Sequence, residues 1–143
     1  MIKSDKKIIG RLEFVDLPDW DINGIVAKID TGAYSSSLHC HNINKYMQNN
    51  TTWVHFNLLD PDHLFYNEKL FKLPISDERE VKSSNGQSQK RIFVQTRIKF
   101  FEQIFDIELS LTNRSEMKHP LLIGRKFLKN KFLVDVAQKH ISN

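Results

Sequence analysis

Asp30, Thr31, Gly32 and Ala33 form the stretch of this chain best equipped for chemistry, and it occurs once. The apolar run Ile25-Val26-Ala27-Lys28-Ile29 reads as a short buried strand that ends on the carboxylate and turns at the glycine. A carboxylate at the end of a buried strand carries a desolvation cost, which charge or hydrogen bonds must offset. Thr31 adds a hydroxyl that can lock the turn, and Gly32 permits close backbone approach. Such an acid can exchange protons with a bound water. Shared-proton chemistry needs two carboxylates close together, and the sequence holds one copy of the loop. Taken alone, Asp-Thr-Gly is more often a turn than a catalytic loop.

A second signal lies near the C-terminus. Pro120-Leu121-Leu122-Ile123-Gly124-Arg125-Lys126-Phe127-Leu128 is an apolar strand, a Gly-Arg break and a short amphipathic stretch able to make a helical turn. In this order and at this separation, the two signals resemble the retropepsins. Those are single-domain, homodimeric aspartic peptidases typified by retroviral proteases, in which an apolar-apolar-Gly-Arg strand packs behind the Asp-Thr/Ser-Gly loop. A closer resemblance is to the bacterial retropepsin-like aspartic endopeptidase domain. It is carried by Lys28-Ile29-Asp30-Thr31-Gly32-Ala33-Tyr34-Ser35-Ser36-Ser37-Leu38-His39, by Arg79-Glu80-Val81-Lys82-Ser83-Ser84-Asn85-Gly86, and by Leu122 to Leu128. That family has also carried the label putative ATP-dependent zinc protease. Its members are often associated with ATP-grasp glutamate ligases of the ribosomal-protein-modifying type.

The resemblance implies an all-β fold: a small closed barrel of the retropepsin type with one short C-terminal helix. It treats 1–143 as a single domain with a core of about 9–136. Asp30 would be the catalytic acid, one from each of two protomers facing across a two-fold axis, so a second copy of the chain is a required partner. Thr31, Gly32 and Ala33 would support the loop. Ser83, Ser84, Asn85 and Gly86 would be the tip of a flap, the lid that closes over an extended peptide or protein substrate. A plain exposed hairpin is the competing reading of that segment. Leu122, Ile123, Gly124 and Arg125 would support the site from behind. No metal and no cofactor is required.

In retroviral relatives the arginine matching Arg125 pairs with an acid just after the loop, but here that position is Tyr34. Stacking on Tyr34, contact with Asp135 and binding of a substrate carboxylate are all open to it. An arginine that grips carboxylates would suit a Glu-rich substrate. The alternative function is a peptide- or protein-binding module of the same fold that does not cut. The Asp-Thr-Gly weighs against it, because a pure binder has no need of a costly buried acid.

Composition narrows the remaining classes. With 143 residues, 40% hydrophobic and ten Phe, the chain has the make-up of one globular domain. The net charge of +4 is spread among interleaved acids, and no recognition motif appears, which points away from nucleic acid. A lone Cys40 excludes an internal disulfide and suits a reducing compartment. The charged start of the chain and the lack of a long apolar run lead us to expect a cytoplasmic protein with no membrane span. Zinc is poorly served: there is no His-Glu-x-x-His, and a single Cys excludes a thiolate cluster. His39 and His41 share one face of an expected strand, opposite Leu38 and Cys40, with His55, His63 or His119 as distant third ligands. The simpler reading is exposed strand histidines and a small buried cysteine. No Walker-type loop is present for ATP.

Short strands are expected over 8–17, 25–29, 36–43, 52–59, 69–73 and 131–136. Asn85-Gly86 signals a hairpin over 79–94. Phe105, Ile107, Leu109 and Leu111 alternate with polar residues and predict a second hairpin after 92–100.

Overall fold

The computed structural model describes residues 6–142, except 60–62, 64, 65, 67, 83–85 and 114–117. Eleven strands and two short helical turns follow in the order β1 (Lys7–Ile9), β2 (Leu12–Leu17), a 3-10 turn (Pro18–Trp20), β3 (Ile22–Asp30), β4 (Ser36–Gln48), β5 (Thr51–Leu58) and β6 (Leu70–Pro74). Then come β7 (Asp77–Lys82), β8 (Ser88–Phe100), β9 (Gln103–Thr112), β10 (Leu121–Gly124), helix α1 (Arg125–Leu128) and β11 (Phe132–Val134). The fold is all-β, with the expected helix just after the Gly-Arg break.

The main sheet runs β10-β3-β2-β8-β9-β4-β5-β6, and β10 also pairs with β4, so six strands close into a ring. Strand β10 is the closing element, parallel to β3 and antiparallel to β4. Inward positions alternate as the pleat demands: Ile25, Ala27 and Ile29 on β3, and Ile107, Leu109 and Leu111 on β9, are buried. Phe127 fastens α1 to the ring, with its centroid 5.6–6.2 Å from those of Phe100, Phe105 and Phe132.

The expected first strand divides at Gly10-Arg11. A side chain at Gly10 would collide with the Gln138 carbonyl oxygen, so the C-terminal segment crosses there and breaks the strand. Strand β1 then pairs in parallel with β11 rather than continuing β2. The strand expected over 36–43 runs on to Gln48, with a register shift between His41 and Asn44 at the left-handed Asn42. Both expected hairpins form, β7–β8 and β8–β9. The turn of the second consists of Phe101 and Glu102, both left-handed without a glycine.

His39 departs from the reading of an exposed histidine. It is buried, like Leu38 and Cys40 beside it. Strand β4 lies between β9 and β10 there, and the His39 backbone is paired on both sides, its N–H donating to the Pro120 carbonyl and its carbonyl accepting from the Leu59 N–H.

Candidate active site

Asp30 is the last residue of β3 and lies half-buried. Its Oδ1 accepts a hydrogen bond from the Gly32 N–H at 3.1 Å, and its carbonyl accepts one from the Ala33 N–H at 3.2 Å. These two bonds curl the chain, leaving Thr31, Gly32 and Tyr34 exposed at the tip of the loop. Thr31 and Gly32 offer their carbonyls to Arg125, while the Ala33 and Tyr34 carbonyls accept from the Arg125 N–H at 2.8 Å and the Lys126 N–H at 3.0 Å.

The strand behind the loop is placed as the sequence implied. Leu121, Ile123 and Gly124 are buried, Leu122 is half-buried, and Gly124 is the register partner of Asp30. A Cβ at Gly124 would lie 2.5 Å from the Ser35 oxygen and 2.6 Å from that of Tyr34, so the loop passes where a side chain would be. The Gly124 N–H donates to Ser36 Oγ at 3.0 Å.

Arg125 takes one of its three open options. Its guanidinium lies 5.5 Å from the centre of the Tyr34 ring. Asp135 instead accepts from Gln138 Nε2 at 2.8 Å and the Ala137 N–H at 2.9 Å, and these bonds hold its carboxyl below the ordinary range. Arg125 Nη1 donates to both the Thr31 and the Gly32 carbonyls, at 3.3 and 3.2 Å. Sequence reasoning missed this role. The absent acid was the available signal, since a five-donor fork that loses a carboxylate turns to nearby carbonyls.

Across from the loop stands the β7–β8 hairpin, in register from Asp77 opposite Phe93 to Lys82 opposite Ser88. Ser83, Ser84 and Asn85 lie outside the described residues, whereas Gly86 is left-handed at φ +85°. Between hairpin and loop is a groove of about 720 Å³, walled by Gly32, Ala33, Tyr34 and Ser35 on one side and by Val81, Lys82, Gln89 and Arg91 on the other. Among the described residues, the charged side chains that line it are Lys82 and Arg91. A second, more apolar hollow of about 500 Å³ lies on the other side of Tyr34, against Leu128, Phe132 and Val134.

Cys40 is fully buried, and burial pushes its thiol well above the ordinary value, so it holds no thiolate for nucleophilic attack. Among the described residues no three His, Cys, Asp or Glu side chains come together to hold a metal ion. His41 instead contacts the Leu59 carbonyl through Nδ1 at 2.6 Å and stacks on Tyr66. Among the described residues no helix is long and apolar enough to cross a membrane.

The RimB-like family, described as "Retropepsin-like aspartic endopeptidase RimB", matches residues 8–143. Similar curated proteins carry a different name. A "Probable alpha-L-glutamate ligase" of Shewanella pealeana is 35% identical over 141 residues, covering 96% of this chain and 30% of that protein. One of the same name from Desulfotalea psychrophila is 33% identical over 136 residues, covering 92% and 28%. The chain therefore spans less than a third of the length of the curated relatives it matches. Among solved structures, a protein of unknown function from Legionella pneumophila is 28% identical with a TM-score of 0.77, over 96% of this chain and 98% of that one.

Proposed function

Because the chain belongs to the RimB-like family of retropepsin-like aspartic endopeptidases, we propose that it hydrolyses peptide bonds as a two-fold dimer, with one Asp30 from each protomer. The observation that carries this reading is the placement of Asp30 against Gly124, in a loop that faces the β7–β8 hairpin across a groove. Two such carboxylates a few ångströms apart share one proton, and their titration belongs to the pair. The ionised carboxylate takes a proton from a water whose oxygen attacks the scissile carbonyl carbon. The protonated carboxylate gives its proton to the carbonyl oxygen. As the tetrahedral adduct collapses, the carboxylate that took the water's proton passes it to the amide nitrogen. The other carboxylate takes the proton of an adduct hydroxyl, the C–N bond breaks, and the pair again holds one proton. The β7–β8 hairpin serves as the lid, which excludes water and aligns an extended chain.

Self-association is supported by exposed apolar side chains. Tyr34, Ile8, Leu133 and Val136 are each about half exposed or more, and the apolar hollow lies beside Tyr34. The substrate class follows from the groove. Lys82 and Arg91 line it, and their positive charge favours an acidic peptide. The relatives named as glutamate ligases carry the matching region within a longer chain, and a substrate extended with glutamate fits that pairing.

The test is hydrolysis of glutamate-extended peptides and of a diverse peptide pool from about pH 4 to 8, where a carboxylate pair changes protonation. Wild type and Asp30→Asn run side by side, with and without a chelator, and sedimentation reports the oligomer. Cleavage that vanishes in Asp30→Asn, ignores the chelator and tracks the dimer is the expected result. Full activity in Asp30→Asn, or cleavage by a strict monomer, removes the mechanism. Activity that survives the substitution but is lost with chelator places the chemistry on a metal.

A further inference from the structure

We propose that Glu108 is a positioning residue that sets the height of the β7–β8 lid above the Asp30 loop. The proposal rests on the peptidase reading for its catalytic consequence and on geometry alone for its mechanical one.

Among the described residues β7 pairs with β8 and with no other strand, so the backbone ladder leaves the angle of this hairpin weakly fixed. Side chains must fix it. Glu108 lies on β9 and is mostly buried, with 15% of its side chain exposed. One oxygen, Oε1, accepts from Arg79 Nη2 on β7 and from Lys126 Nζ on α1, the latter at 3.2 Å. The other, Oε2, accepts from Ser76 Oγ, just ahead of β7, at 3.3 Å.

Each arm continues into rigid structure. The Arg79 guanidinium lies 3.7 Å from the centre of the Phe93 ring on β8 and pairs through Nε with Asp77 at 3.2 Å, so both strands of the hairpin share this anchor. On the other side, the Lys126 N–H donates to the Tyr34 carbonyl in the loop that carries Asp30. A single carboxylate thus links lid and candidate catalytic loop through two bonded neighbours. Burial pushes this carboxyl up, but the hydrogen bonds from Arg79 and Lys126 outweigh it and hold the acid below its ordinary value. Another side-chain tie of β7 to the ring, Glu78 to Lys45 at 3.0 Å, is more exposed and reaches β4, away from the loop.

Amide hydrogen exchange, read in wild type, Glu108→Gln and Lys126→Met, tests the proposal without requiring peptide cleavage. Both variants should exchange the 77–82 and 88–93 amides about tenfold faster while β2 and β3 keep wild-type protection. Where peptides are cleaved, KM should rise several-fold with the dimer intact, as expected for a lid that no longer presses on substrate. Unchanged hairpin exchange in both variants overturns the proposal. So does acceleration spread evenly over the ring, which would mean that Glu108 merely stabilises the fold. Should Glu108→Gln fail to fold, Lys126→Met, which removes only the arm toward the loop, decides alone. Wild type that cleaves nothing while the hairpin responds as stated leaves the latch standing and removes the peptidase reading.

Discussion

Gly124 and Asp30 are neighbours in the parallel pairing of β10 with β3, and the hydrogen atom in place of a side chain at Gly124 leaves room for the Tyr34–Ser35 backbone. Gly124→Ala puts a methyl group 2.5 Å from the Ser35 oxygen, where only backbone can yield. A loss of about 1–3 kcal/mol in chemical denaturation is expected, the usual range for overpacking. Peptidase activity should fall further than stability, because the displaced backbone carries Asp30.

Arg125 poses the opposite case, an exposed side chain whose work is local. Arg125→Met removes two hydrogen bonds to the Thr31 and Gly32 carbonyls and the contact with Tyr34. Both carbonyls can turn to water, so the stability loss should be about 1 kcal/mol or less. Hydrogen exchange at the Gly32 and Ala33 amides should nevertheless accelerate. Arg125→Lys should fall between wild type and Arg125→Met. One nitrogen makes both bonds, and an ammonium can replace it in part, without the planar face toward Tyr34.

Glu13 is fully buried on β2, where its Oε2 accepts from the Gly10 N–H at 2.6 Å and its Oε1 accepts from the Ser142 N–H and Oγ at 2.9 and 2.8 Å. Glu13→Ala strands these donors, so a loss of about 1–3 kcal/mol is expected. Ser142→Ala should cost less and act at the end of the chain. Limited proteolysis after 138 should speed up in both.

The acid limb of the stability curve has a sign set by Glu108. Hydrogen bonds from Arg79 and Lys126 hold its folded-state value below the ordinary 4.5, despite the opposing push of burial. The group therefore contributes fully above that ordinary value, and its contribution is lost as pH falls through the lower folded one. Denaturant midpoints measured from pH 7 downward should drop across this range for wild type. Glu108→Gln should show a shallower drop, though not a flat one, because Asp19, Glu78 and Asp135 are also held low.

What the sequence disclosed was local chemistry that two distant segments had in common. The Asp30 loop and the Leu122–Arg125 strand each carried a motif, and the contact between them lay within the resemblance. Asn85-Gly86 and the alternation of 105–111 disclosed two hairpins because turn and pleat are local properties. The rest depended on which segments cover one another. Glu13 lies in the core while its neighbour Phe14 is 38% exposed, because the C-terminal segment supplies the donors for a buried acid. His39 is buried, and its backbone is bonded to Leu59 and Pro120 from outside the strand, which no pattern within β4 can reveal. Phe101-Glu102 makes a left-handed turn without the residues that announce one.

The ring closes through β10, and Arg125, which holds the Asp30 loop, is 94 residues downstream of Thr31 in the chain. During synthesis β3 and β4 leave the ribosome long before the strand that fits between them, so their facing edges stay open until then. Such late, non-local pairing is slow to form. The loop that carries Asp30 thus takes its final shape late, and a nascent chain has no finished site until β10 has emerged.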